Sequence, residues 1–132
     1  MGVFLSLDEE SRVLYIRFEG IVTDDVLLYR YQQVREWVAV HGYSSSISDF
    51  SEVTSFKVTS VGVKQLVAHS PLVPDEFLRV VVAPQDIAFG MTRMFGILGS
   101  STRSRVDAVH TLAEAYRLIG VESLDLSPVM DW

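Results

Sequence analysis

The chain has no cysteine and only 4 prolines among its 132 residues. The lack of cysteine excludes disulfide bonds, thiolate catalysis and zinc sites built on cysteine. Basic residues are also few: 11 lysines and arginines stand against 17 aspartates and glutamates, so the formal net charge is −6. A chain this acidic gains no counterion-release advantage on DNA or RNA. We therefore expect no nucleic-acid partner.

Long hydrophobic runs are missing as well, although hydrophobic residues make up 48% of the chain. No run has the length that a bilayer span requires, and the first residues lack the basic leader of a signal peptide. We therefore expect a cytoplasmic protein without a transmembrane segment. Length and apolar content predict a single domain over residues 1–132, with its core at about 3–120 and a tail at 121–132.

Hydrophobic periodicity predicts an α/β fold with the order ββαβαβαβα. The five predicted strands are 3–7, 12–19, 46–50, 77–83 and 105–109, and the four predicted helices are 23–42, 59–69, 84–98 and 111–120. The first two strands form a β-hairpin. The later alternation of strands and helices predicts right-handed βαβ crossovers and a mixed, mainly parallel sheet. The most apolar strand, 77–83, is expected near its middle.

A hydroxyl-rich turn is predicted between the third strand and the second helix, where open α/β sheets often bind ligands. Asp49 ends that strand and either faces a ligand or, as is more common, accepts N–H bonds from its own turn. Thr59 and Ser60 stand at the helix start, where one of them serves as the N-cap and where an anion or phosphate is also favoured. The candidate switch or anion site comprises Asp49, Ser51, Thr59 and Ser60.

Two further candidate sites lie on the predicted third helix. Its core stripe is Ile87, Met91, Met94, Phe95 and Leu98. Within that stripe, the residues that either fill the core or line an apolar ligand pocket are Met91, Met94 and Phe95. The opposite side is a candidate partner surface made of Phe89, Arg93 and Ile97. Phe89 alternatively packs against the tail, near Leu124 or Trp132.

No pattern in the sequence indicates a reaction. The chain has no nucleophile elbow, Walker loop or dinucleotide fingerprint. The three histidines, His41, His69 and His110, are isolated and show no metal-ligand spacing. We therefore expect no enzyme, no metal and no cofactor.

Four short segments in the predicted order resemble the anti-sigma-factor-antagonist fold, the STAS or SpoIIAA-like group, and most of all its stand-alone bacterial members of unknown function. They are Glu-Gly-Ile-Val-Thr-Asp-Asp from Glu19, Ser-Asp-Phe-Ser-Glu-Val-Thr-Ser-Phe from Ser48, Val-Ala-Pro-Gln-Asp-Ile-Ala-Phe-Gly-Met-Thr-Arg-Met-Phe from Val82, and His-Thr-Leu-Ala-Glu-Ala-Tyr from His110. The resemblance implies a five-stranded mixed sheet with four helices. It also implies a non-enzymatic regulatory or protein-binding module whose partner is another protein or a second copy of the chain.

In that family a serine in an Asp-Ser-(Ser/Thr)-Gly turn is phosphorylated by a partner kinase. The matching stretch here is Phe-Lys-Val-Thr-Ser-Val-Gly from Phe56, so only Thr59 and Ser60 remain as equivalents, and the aspartate is replaced by Lys57 or Val58. The sheet is also similar to that of the CRAL-TRIO fold. That similarity implies an alternative function, the carriage of a small apolar or lipid-like ligand in a pocket between the sheet and the third helix.

Overall fold

The computed structural model describes residues 2–42, 45–68, 78–99 and 106–131. Its strands and helices are, in chain order, β1 Val3–Asp8, β2 Val13–Thr23, α1 Asp24–His41, β3 Ser45–Lys57, α2 Ser60–Val67, β4 Arg79–Val82, α3 Asp86–Leu98, β5 Asp107–Val109, α4 Leu112–Ile119 and β6 Ser127–Asp131. This order confirms the α/β class and the opening hairpin. The predicted boundaries at residues 69, 77 and 105 lie outside the described residues.

The strands form one mixed sheet in the order β5-β4-β3-β2-β1-β6. Neighbours from β2 to β5 are parallel, whereas β1 is antiparallel to both β2 and β6. The predicted count of five strands is therefore wrong by one. The missed strand, β6, is a short edge strand that contains Pro128 and has a register shift, so it shows no regular alternation.

The most apolar strand is not in the middle of the sheet. β4 lies between β3 and the three-residue β5, one place in from an edge, and the central pair is β3 and β2. β4 is still apolar because side chains cover both of its faces: Val81 packs on one side, Val80 and Val82 on the other. The apolar composition of this strand therefore predicts its burial, but it does not predict the position of the strand in the sheet.

The path of the chain explains which helices cover which side of the sheet. The crossovers β2-α1-β3, β3-α2-β4 and β4-α3-β5 all step in the same direction, so right-handed connections put their helices on one side. The return from β5 to β6 at the opposite edge runs the other way and puts α4 on the other side. We call the first side the three-helix face and the second the α4 face.

Alternation along β2 divides the core between these two faces. Leu14, Ile16 and Phe18 belong to the three-helix face, whereas Val13 and Tyr15 belong to the α4 face. Helix residues complete each cluster: Val34, Val38, Val63 and Ala88 on the three-helix face, and Leu112, Ala115, Tyr116 and Ile119 on the α4 face. Thr23 and Thr111 are the N-caps of α1 and α4, since each hydroxyl accepts a backbone N–H of its own helix.

The third strand is much longer than predicted. β3 runs to Lys57, so the expected turn after Asp49 is wrong. β4 stops opposite Asp49, and beyond that point β3 pairs with β2 alone, through two register shifts. Beyond the end of β4, the side chain of Gln85 hydrogen-bonds to β3 instead. Its Nε2 donates to the carbonyl oxygens of Phe50 at 3.0 Å and Val53 at 3.1 Å.

Candidate functional site

A cavity of about 110 Å³ lies between the sheet and helices α1, α2 and α3, and it opens to solvent on one side. Its walls are largely apolar and include Ile16, Phe18, Leu27, Phe56, Val63 and Val81. An engineered cavity of roughly 150 Å³ with similar walls stays dry and binds benzene. The apolar part of this space is therefore suited to a small apolar group.

Two arginines and two serines also line this cavity, in addition to Tyr31 and Thr92. Arg30 comes from α1, Arg79 from β4, and Ser46 and Ser48 from β3. Ser46 lies directly beside Arg79 in the parallel register, and Ser48 follows two residues later on the same face. Arg79 is only 6% exposed. The sequence carried a signal for it, since this arginine interrupts the otherwise apolar segment 77–83.

The predicted ligand-pocket residues on α3 lie close to this cavity. Met91 and Phe95 line it, and Met94 packs against the three-helix core. The predicted stripe is wrong at both of its ends, because Ile87 is 54% exposed and Leu98 is 42% exposed.

The buried face of α3 is formed instead by two small residues, Ala88 and Thr92. The Thr92 hydroxyl donates to the carbonyl oxygen of Ala88 at 2.8 Å, so its burial leaves no unpaired donor. The stripe was predicted from large apolar residues, which is why this face was missed.

Asp49 and Ser51 lie within β3 and not in a turn, and Asp49 points to the α4 face, away from the cavity. Asp49 is 4% exposed and accepts hydrogen bonds from the Tyr15 hydroxyl, from the backbone N–H of Ser51 at 2.9 Å and from its Oγ at 2.6 Å. Burial, and then this hydrogen bond to Asp49, raise the pKa of Tyr15 far above its usual value. Tyr15 therefore stays a neutral donor, and Asp49 is satisfied by its own strand and its neighbour.

Thr59 caps α2, as predicted, because its Oγ1 accepts the backbone N–H of Gly62 at 3.2 Å. The same residue is held by Asp24 of α1: its N–H donates to Oδ1 at 2.8 Å and its hydroxyl to Oδ2 at 2.6 Å. A carboxylate of the chain itself thus lies at the helix start where a phosphate or other anion was expected. A Cβ at Gly62 would stand 2.1 Å from Asp24 Oδ1, so the lack of a side chain at Gly62 leaves room for the contact between Asp24 and Thr59. Ser60 is exposed.

The candidate partner surface does not form one open patch. Phe89 is half-buried, packs against the three-helix core and stacks on the His110 ring, with centroids 4.1 Å apart and planes 8° apart. Arg93 is exposed and Ile97 is 70% exposed. The alternative contact with the tail is not seen at Leu124, which packs on the α4 face, and Trp132 lies outside the described residues.

Metal and membrane features can be assessed for the described residues only. Among them, no group of three or more histidines, aspartates and glutamates is placed to hold a metal ion. None of the helices in these ranges combines the length and the apolar character needed to cross a membrane. No family model, curated protein or solved structure matches this chain, so the SpoIIAA-like resemblance stays a prediction from the sequence.

Proposed function

We propose that this chain is a non-enzymatic binding domain that holds a small apolar ligand in the cavity of the three-helix face. The observation that carries the proposal is the cavity itself, whose walls come from the sheet and all three helices. Ligand pockets are typically concave and mostly apolar, with a few polar groups that fix orientation. Met91 supports the proposal because a flexible thioether adapts to ligands of different shape.

Benzene is a suitable probe because it is uncharged and close to the cavity in size. We expect it to shift the methyl resonances of Val63 and Val81, which line the cavity, in two-dimensional NMR spectra. Val81→Phe should fill the space and weaken benzene binding by about tenfold or more, since a ring cannot enter an occupied cavity. If benzene shifts none of these methyl resonances at any point of the titration of the parent protein, the proposal is contradicted.

The matched control is Val40→Phe, because Val40 is 80% exposed on α1. This variant adds the same ring outside the cavity and should bind benzene as the parent does. Circular dichroism establishes that both variants fold. A folded Val81→Phe protein with parental affinity would place the probe elsewhere and argue against this cavity.

A regulatory protein-binding module, with a protein partner or a second copy of the chain, is the second candidate. The observation that favours it is the exposed end of α3, where Arg93 and the 70% exposed Ile97 lie. Isolated exposed side chains are common on monomers, so this support is weaker than a contiguous patch would give. Sedimentation should show self-association that Ile97→Asp abolishes; a parent protein that stays monomeric at high concentration would exclude the self-association form.

A further inference from the structure

The outward face of α3 combines charged and apolar residues in one stripe. Its half-buried member is Met94, and its exposed members are Asp86, Ile87, Gly90, Arg93 and Ile97. We call this set the α3 stripe. Resting on the self-association form of the second candidate function, we propose that two copies of the chain pair through it. Their α3 helices run antiparallel and cross at Gly90, about a two-fold axis.

The buried residues of α3 fix the direction of the stripe. Ala88 and Thr92 are buried, the first in the core of the three-helix face and the second in the cavity wall. Since a helix turns by about 100° per residue, Gly90 lies roughly opposite both of them. The α3 stripe therefore points away from the rest of the domain, where a second copy can reach it.

Gly90 is the first support for the pairing. Glycine is unfavourable inside a helix compared with alanine. The described part of the chain gives no reason for it: Gly90 is not among the glycines with positive φ, and a Cβ built there would contact no other part of the chain within 4 Å. A second helix that crosses here supplies the reason, because the missing side chain lets two helix backbones approach closely.

The spacing of the charged residues around Gly90 is the second support. Asp86 lies about 6 Å before Gly90 along the helix axis and Arg93 about 4.5 Å after it, both on the same side of the stripe. Because a two-fold axis at Gly90 reverses the partner helix, Asp86 comes level with the partner's Arg93. The pair of opposite charges therefore forms twice. Neither side chain has an ion pair or hydrogen bond with another described residue.

The apolar residues obey the same symmetry on the other side of Gly90. Ile87 lies about 4.5 Å before Gly90 and Met94 about 6 Å after it, so the same axis brings Ile87 level with the partner's Met94. Ile87 is 54% exposed, and this contact removes its apolar surface from water. Exposed ion pairs add little affinity, so the apolar contacts supply affinity and the charges fix the antiparallel register.

Exchange of charges between two copies tests the pairing. Asp86→Arg and Arg93→Asp each place like charges opposite one another twice, so each should weaken self-association by about tenfold or more in sedimentation equilibrium. An equimolar mixture of the two variants should restore association to within about threefold of the parent, because both contacts of a mixed pair then join opposite charges. General attraction between the variants does not explain such a rescue, since the parent charge of −6 leaves both of them net negative.

Two further variants separate the pairing from other effects. Arg117→Asp makes the same charge change as Arg93→Asp at an exposed position on α4, and it should associate as the parent does. Gly90→Gln places a long uncharged side chain at the crossing and favours the helix. Its monomer should be at least as stable as the parent monomer, while association weakens by about tenfold or more. Gly90→Gln decides the matter if either charge variant does not fold.

The results that overturn the pairing are distinct from those that overturn a function. A parent protein that stays monomeric at high concentration overturns the pairing together with the self-association form of the second candidate. A parent that associates, with a mixture of the charge variants no better than either alone, overturns only the pairing through α3. Association unchanged by Gly90→Gln does the same. None of these results affects the benzene test of the cavity, which a monomer can pass.

Discussion

The two faces of the sheet treat buried polar groups in different ways. On the α4 face, the carboxylate of Asp49 has three donors from Tyr15 and Ser51, and no cavity residue is among them. On the three-helix face, Arg79 and two serines line an open space. The first arrangement stabilises one packed structure. The second places an arginine and two serines in the wall of a cavity.

The difference teaches that burial alone does not identify a binding residue. Asp49 and Arg79 are almost equally buried, at 4% and 6% exposure. Arg79 lines the cavity, whereas Asp49 does not. Asp49 was the candidate site residue because of its place in the sequence, but its hydrogen bonds favour a structural role.

The largest effect is expected from breaking the polar group of the α4 face. Tyr15→Phe removes the hydroxyl that donates to Asp49 and leaves a buried carboxylate with fewer donors. Hydrogen bonds to charged groups contribute about 1.5–3 kcal/mol, so the free energy of unfolding should fall by about that amount. Urea denaturation measures the change.

Tyr116→Phe is the matched control, because Tyr116 is a less buried tyrosine of the same face. Its unfolding free energy should stay within about 0.5 kcal/mol of the parent value. A Tyr15→Phe protein as stable as this control would show that Asp49 does not depend on the hydroxyl.

A second pair of variants compares the packing of the two faces directly. Ala115→Leu adds volume between α4 and the sheet, where the parent side chain is 0% exposed, and overpacking should cost about 1–3 kcal/mol. Thr92→Leu adds one heavy atom, against three for Ala115→Leu, and Thr92 lines the cavity, so this change should cost less than about 1 kcal/mol. Thermal denaturation of both variants checks the order. A larger destabilisation by Thr92→Leu than by Ala115→Leu would contradict the expected difference in packing between the two faces.

A smaller loss is expected at the joint between α1 and α2. Thr59→Ala removes the hydroxyl that caps α2 and donates to Asp24, so unfolding should become easier by about 1 kcal/mol. Ser60→Ala, one residue further along and exposed, serves as the control and should change stability by less than about 0.5 kcal/mol. Equal melting temperatures for both variants would remove the capping role of Thr59.

Much of the architecture could be predicted because local patterns determine it. Alternation in β2 places Leu14 and Tyr15 on opposite faces, and hydroxyl residues stand at the helix starts at Thr23 and Thr59. The strand order was not available from such patterns. It depends on which strand each crossover reaches, and β6 at the far edge carries no periodic signal.

The cavity was only partly predictable for a related reason. Met91 and Phe95 were identified from helical spacing, whereas Arg30, Arg79 and the two serines come from three elements that are distant in sequence. Polar residues in strands are also commonly explained as solvent-facing positions. Only the register of β3 against β4 brings Ser46 beside Arg79.

The extension of β3 beyond its other neighbour has a dynamic consequence. Residues 52–57 pair with 19–23 of β2 as a two-stranded parallel ribbon, after β1 and β4 have ended. Beyond β4 the ribbon has no further strand neighbour among the described residues, so its backbone should open locally at a lower free energy than the sheet centre. Phe56 lies on this ribbon and lines the cavity. Local opening of the ribbon would therefore let ligands enter and leave the cavity much faster than the whole protein unfolds.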